Sequence, residues 1–193
     1  MAHIALFHSV LGLRSAERLA AERLRRAGHE VVTPDLFGGA TAATLDEGFR
    51  LVDRVGWTAM IERARRALKG MPDETVLAGF SMGTGVVVDL WAERPATAGI
   101  LLLHAVPDLP GAVRPGTRAQ LHAAEQDEFA PPERVANLRH EARELGVELE
   151  VFRYPGAGHF YVDRELPDHD PAAAELTWDR VLTFLGEVEQ PPQ

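Results

Sequence analysis

Ser81 stands between Gly79 and Gly83 in the stretch Thr75-Val-Leu-Ala-Gly-Phe-Ser-Met-Gly-Thr-Gly-Val86, where an apolar strand-like run passes into a helix-like one. Gly-x-Ser-x-Gly at such a junction is the pattern of a nucleophile elbow. The chain reverses so tightly there that side chains two positions either side of the serine collide, and glycine at 79 and 83 removes both collisions. The turn raises the Ser81 hydroxyl above the sheet edge. It also aims the first helical N–H groups, Met82 among them, at an oxyanion forming beside that hydroxyl. The chemistry such a turn serves is attack of an alcohol oxygen on a carbonyl.

A serine hydroxyl is a poor nucleophile at neutral pH, so it needs a base to take its proton and an acid to hold that base in the useful tautomer. Of eight histidines, His159 lies in Tyr154-Pro-Gly-Ala-Gly-His-Phe-Tyr, a Gly/Pro loop leaving the last strand, from which a side chain can swing over the elbow. His8 and His104 end two other strands and are rivals for the role, whereas His3, His29 and His140 read as strand-start, turn or helix-surface residues. The chain order Ser, Asp, His places the acid between residues 81 and 159. Asp127 follows a strand and is the leading candidate, with Glu125, Glu128 and Asp108 as rivals.

Strand-length apolar runs at Ile4–Phe7, Val31–Thr33, Thr75–Ala78, Ile100–Leu103, Ala119–His122 and Leu149–Phe152 alternate, for the most part, with helix-like segments, which predicts a mainly parallel sheet with helices on both faces. The helices are expected over Ser15–Ala27, Trp57–Lys69, Gly83–Arg94 and Pro132–Leu145, with ends set by Gly28, Gly70, Pro95 and Gly146. A last one runs from Asp170, its cap, and Pro171 towards Glu187. A short helix over Leu45–Val55 lies in the stretch 37–56, the candidate for an element covering the substrate. Right-handed crossovers favour the strand order 2-1-3-4-5-6, with a switch point between strands one and three. The loop Ser9–Arg14 and the Ser81 elbow then face one crevice.

The chain has 193 residues, 46% of them hydrophobic and 25% charged, and a formal charge of −9. This is ordinary globular composition. One domain over residues 1–189 is expected, followed by a disordered tail at 190–193. The negative charge and the lack of a basic stretch interleaved with aromatics argue against nucleic acid and anionic membrane surfaces as partners. The absence of cysteine removes disulfides, thiolate catalysis and cysteine-ligated metals. With no signal-like start and no long apolar run, the expected setting is the cytoplasm, as a monomer or homodimer.

The sequence resembles the dienelactone hydrolase family of α/β-hydrolases over nearly its whole length. The likeness rests on His8-Ser-Val-Leu-Gly-Leu-Arg14, Thr33-Pro-Asp-Leu-Phe-Gly-Gly39, Gly79-Phe-Ser-Met-Gly83, Asp127-Glu-Phe-Ala-Pro131 and Tyr154-Pro-Gly-Ala-Gly-His159. It implies an α/β-hydrolase fold, with Ser81 as nucleophile, Asp127 as acid, His159 as base, and the backbone N–H groups of Val10 and Met82 as oxyanion hole. It implies no cofactor and no metal. Three positions depart from the dienelactone enzymes proper: Ser81 replaces their cysteine, Ser9 their triggering glutamate, and Asp163 the arginine that receives the substrate carboxylate. The expected substrate is accordingly a small neutral or cationic ester, lactone or acyl compound. An acyltransferase or lyase-like enzyme on the same scaffold, and a binding protein without chemistry, are the alternative readings.

Other residues admit plainer explanations. Phe37, Trp57, Phe129, Phe160 and Tyr161 could line an acyl pocket, but aromatics beside a sheet are more often core. Asp163, Asp168, His169 and Asp170 read as a polar connection and a helix cap rather than metal ligands. Arg63, Arg65 and Arg66 read as a solvated helix face. Gly83-Thr-Gly85 is no dinucleotide motif, since Val88 takes the third glycine position and the run does not follow the first strand.

Overall fold

The computed structural model describes residues 1–189; the tail expected to fray, 190–193, lies outside the described residues. Six strands, β1 (His3–Phe7), β2 (Glu30–Val32), β3 (Val76–Phe80), β4 (Gly99–Leu103), β5 (Arg118–Ala124) and β6 (Glu148–Tyr154), form one sheet in the order β2-β1-β3-β4-β5-β6, every pair parallel. The order and the element sequence are those read from the chain. Thr75–Ala78 is displaced, because β3 runs on to Phe80 and delivers the chain straight into the elbow. β5 is longer than expected at both ends.

Strand alternation divides the core in two. Ala5, Phe7, Leu77, Ile100, Leu102 and Leu121 face one side, where α2 (Leu45–Val55), α3 (Trp57–Leu68), α4 (Met82–Glu93) and α5 (Pro132–Leu145) pack. Ile4, Leu6, Val76, Ala78, Leu101 and Leu103 face the other, covered by α1 (Ser15–Arg26) and α6 (Pro171–Val188). Among the described residues no helix is long and apolar enough to cross a membrane.

Helix ends follow the local chemistry. Asp170 Oδ1 accepts from the N–H groups of Ala172 and Ala173 at 3.0 Å each, with Pro171 in the first turn of α6. This is the capping expected of an aspartate before a helix. Thr44 caps α2 through Glu47 N–H at 3.3 Å, and Glu47 reaches back to Ala43 N–H at 2.9 Å. Gly146 closes α5 in the left-handed conformation at φ 70°.

Close approach of backbones decides what positions the site. A Cβ on Gly83 would lie 2.5 Å from Phe7 O, so α4 starts directly against the end of β1. Backbone atoms cannot move aside as a flexible side chain can. Gly83→Ala is therefore expected to remove about 2 kcal/mol or more of stability. Gly186→Ala, in a helix with nothing within 4 Å of the added carbon, should be neutral or gain up to about 1 kcal/mol. Urea midpoints of the two variants check the contrast.

Candidate active site

At the junction of β3 and α4, Ser81 takes φ 48° and ψ −111°, a conformation that few non-glycine residues adopt. Three contacts hold it. Its N–H donates to Leu103 O at 2.7 Å, and its carbonyl accepts from Thr84 N–H at 2.9 Å and Thr84 Oγ1 at 2.8 Å. A Cβ on Gly79 would meet Gly83 C and O at 2.3 Å, which accounts for both glycines of the motif. The side chain faces the carboxyl end of the sheet.

Ser81 Oγ lies 2.9 Å from His159 Nε2, and His159 Nδ1 lies 2.7 Å from Asp127 Oδ2. A carboxylate can only accept, so Nδ1 carries the proton and Nε2 is left as an acceptor for the serine hydroxyl. Asp127 is buried, its side chain 1% exposed, and its Oδ1 accepts from Phe129 N–H at 2.9 Å. Its rivals Glu125 and Glu128 are exposed, and Asp108 pairs with Arg134 at 3.3 Å. Of the acid candidates, Asp127 is the one bonded to His159.

Both loops that carry the pair are tied down from a distance. Arg153 on β6 donates to Ala130 O at 2.7 Å and to Glu125 O at 2.6 Å, strapping the Asp127 loop from both sides. Beyond His159, Asp168 Oδ2 accepts from Phe160 N–H at 3.0 Å and sits against Gly158, where a Cβ would lie 2.8 Å from its Cγ. The imidazole is flanked by Phe129 and Phe160, with ring centroids at 4.6 and 4.4 Å. Arg153 and Asp168 carry no sequence signal for these roles, since each acts on the backbone of a loop and no local pattern marks such a contact.

On the other side of Ser81 is the loop after β1. Phe7 pairs with Gly79, so Val10 and Met82 each stand three residues past one register position. Ser9 O accepts from His8 Nδ1 at 2.7 Å and from Gly12 N–H at 3.1 Å, which fixes the peptide plane whose opposite edge is Val10 N–H. Glu17 accepts from Ser9 N–H at 3.2 Å, Ser9 Oγ at 3.1 Å and Arg14 N–H at 3.1 Å. Ser9 is thus a tether for this loop. α2 presses on it as well, for a Cβ on Gly48 would lie 2.5 Å from Val10 O. The N–H groups of Val10 and Met82 have no acceptor among the described residues.

The two rival histidines are both buried, for different ends. His8 uses Nδ1 on Ser9 O and accepts Leu36 N–H on Nε2 at 3.0 Å, leaving neither nitrogen for Ser81. His104, at φ 75°, has no partner for either ring nitrogen among the described residues and packs against Phe80, Tyr161 and the His159 ring, the last with centroids 5.9 Å apart. His122 lies deeper, between Tyr154 Oη at 2.8 Å and Gln120 Oε1 at 3.0 Å. Desolvation holds all three below the ordinary imidazole range, with His122 pushed down to about 3.

Asp163 does not stand in the crevice as a free carboxylate. It is buried, 3.7 Å from the Arg14 guanidinium, and accepts from Glu165 N–H at 2.9 Å. The other polar residues of this connection are also engaged, with His169 on Tyr161 O at 3.0 Å and Asp170 on α6. Arg63, expected on a wet face, instead donates to Leu36 O at 2.6 Å. A groove of about 500 Å³ between α1 and α6 is lined by charged side chains such as Arg23 and Glu175 and holds none of Ser81, His159 or Asp127.

The buried neutral histidines make stability acid-sensitive well above the carboxylate range. The unfolded chain binds protons below about pH 6.5 that the folded chain refuses. The stability contribution of the neutral form is complete above that pH and declines as pH falls, for His122 until about pH 3. Each histidine adds up to about 1.4 kcal/mol per pH unit to the slope. Urea unfolding at pH 7.5, 6 and 5 should show midpoints falling with pH, and His122→Asn should flatten the slope.

The profile of the dienelactone hydrolase family matches residues 2–189 of the chain. Among solved structures, the chain is similar to a dienelactone hydrolase-like promiscuous phosphotriesterase from metagenomic libraries, with TM-score 0.79, 21% identity, and 97% of this chain and 87% of that one covered. It is similar also to a dienelactone hydrolase from Anabaena variabilis (TM-score 0.67, 20% identity, 96% and 86% covered). A third is the thioesterase domain from the curacin biosynthetic pathway (TM-score 0.64, 15% identity, 92% and 90% covered). At these identities the likeness is one of fold, the α/β-hydrolase fold. No curated protein matches the sequence.

Proposed function

Because the chain belongs to the dienelactone hydrolase family, whose membership supports a hydrolase, we propose that it is a serine hydrolase cleaving a small carboxylic ester or lactone through an acyl-enzyme. The observation that carries this reading is the pair of short contacts, Ser81 Oγ to His159 Nε2 at 2.9 Å and His159 Nδ1 to Asp127 Oδ2 at 2.7 Å. His159 takes the Ser81 proton as Oγ attacks the carbonyl carbon, and the N–H groups of Val10 and Met82 receive the negative charge on the carbonyl oxygen. Asp127 balances the imidazolium. Collapse of the tetrahedral intermediate expels the alcohol, which takes the proton from His159. Water then repeats the sequence on the acyl-enzyme, with His159 again as base and Ser81 Oγ as leaving group.

The substrate's charge follows from the surroundings. The resemblance to the dienelactone enzymes implies an arginine for the substrate carboxylate at the position of Asp163, and here that position is an acid already paired with Arg14 at 3.7 Å. Dienelactone, which carries a carboxylate, is therefore a poor fit. A neutral ester or lactone meets no opposing charge.

Ser81→Ala is expected to lower ester turnover by about 10⁴ or more, and Asp127→Asn by a similar factor through loss of the useful tautomer. A fluorophosphonate probe should label the native protein and leave Ser81→Ala and the heat-denatured chain unlabelled. Unchanged turnover in Ser81→Ala would refute the assignment. An excess of transfer over hydrolysis when a competing alcohol is supplied would make the enzyme an acyltransferase.

A further inference from the structure

Trp57 is the one tryptophan of three that meets solvent, at 38% exposure against 1% for Trp91 and 7% for Trp178. An exposed aromatic by itself needs no explanation. This one, however, is held at two points. Its Nε1 donates to Asp89 Oδ2 at 2.7 Å, and its ring edge covers Gly85, where a Cβ would meet Cη2 at 3.1 Å and Cζ2 at 3.4 Å.

Met82, Gly85 and Asp89 lie along one stripe of α4, at spacings of three and four. The indole therefore runs along the helix, with its N–H towards Asp89 and its benzene ring towards the end that carries Ser81 and Met82. The hydrogen-bonding edge is occupied, so what remains free is an apolar face. Glycine at 85 is what lets that ring edge come this close to the helix. Met82, half-buried, continues the same apolar strip up to the elbow. On α3, the Arg65 guanidinium is bound by Glu93 at 2.8 Å.

We propose that Trp57 is the platform for an uncharged acyl arm of the substrate and sets its length. The inference rests on the ester or lactone reading above and names the substrate class of that site. From Ser81 to Gly85 is four residues, about 6 Å along the helix, a distance spanned by an arm of about four to six carbons. Shorter acyl groups reach the serine without touching the indole. Longer ones lay their middle carbons on it.

The test uses Ser81→Ala, which binds esters without turning them over, titrated with methyl esters of straight-chain acids from acetate to octanoate. Tryptophan emission reports coverage of Trp57, since the other two indoles are buried. Emission should shift to the blue, with affinity rising about two- to fourfold per methylene between four and six carbons and little beyond. The double variant Ser81→Ala, Trp57→Phe should lose the emission change. In the protein with Ser81 intact, Trp57→Ala should raise KM for methyl hexanoate about tenfold and leave both KM for methyl acetate and kcat near the starting values. Asp89→Ala, which frees the indole without removing it, should give a smaller change in the same direction.

Equal chain-length dependence with and without Trp57, or an emission response that persists in the double variant, overturns the proposal. Esters that bind Ser81→Ala with this dependence while the intact protein hydrolyses none would sink the hydrolase reading and keep the platform. Hydrolysis indifferent to chain length would do the reverse. A role of Trp57 confined to clamping α3 on α4 predicts lower stability with unchanged KM ratios.

Discussion

Everything at the site descends from the near-contact of three backbones where β1 and β3 end and α4 begins. Gly79 faces Gly83, and Gly83 faces Phe7 O, at separations that no Cβ could share. That proximity forces the reversal that leaves Ser81 at φ 48°. It also brings the first turn of α4 beside the loop after β1. The sheet supplies the rigidity: the strands on either side of β3 are buried and hydrogen-bonded, so strain at one residue does not spread.

Around that point the loops are held by polar side chains, some close in sequence and some far from it. Glu17 grips Ser9, His8 fixes the Ser9 carbonyl and receives Leu36, Arg153 brackets Asp127, and Asp168 secures the peptide after His159. Each link pairs a loop backbone group that a bare loop would leave to solvent or unpaired. A serine, an imidazole and a carboxylate on three separate connections stay in register because each connection is fastened to the sheet or to a helix.

Much of this was legible in the sequence. The strands show as apolar runs and most helices by their end residues, so Pro132–Leu145, closed by Gly146, is legible to the residue, as is the short helix Leu45–Val55. The elbow was legible because backbone crowding leaves a glycine signature. His159 is legible as the leading base from its Gly/Pro loop, whereas what occupies its rivals, Ser9 O and Leu36 N–H for His8 and an aromatic cage for His104, is set by contacts across the fold. Arg14 with Asp163, and Arg63 with Leu36, escaped for the same reason. A surface-type residue that spends its charge inside the fold leaves no local trace.

The Arg14–Asp163 pair also bears on how such an enzyme can evolve. The resemblance to the dienelactone enzymes implies an arginine where this chain has Asp163, and here the space beside that acid is already filled by Arg14. A single exchange at 163 would confront two guanidinium groups in a nearly closed site, while a single loss of Arg14 would strand a carboxylate without a counterion. The two positions are therefore epistatic. A lineage that reverses the charge at 163 has to change both, and the order in which it does so is constrained by an unfavourable intermediate.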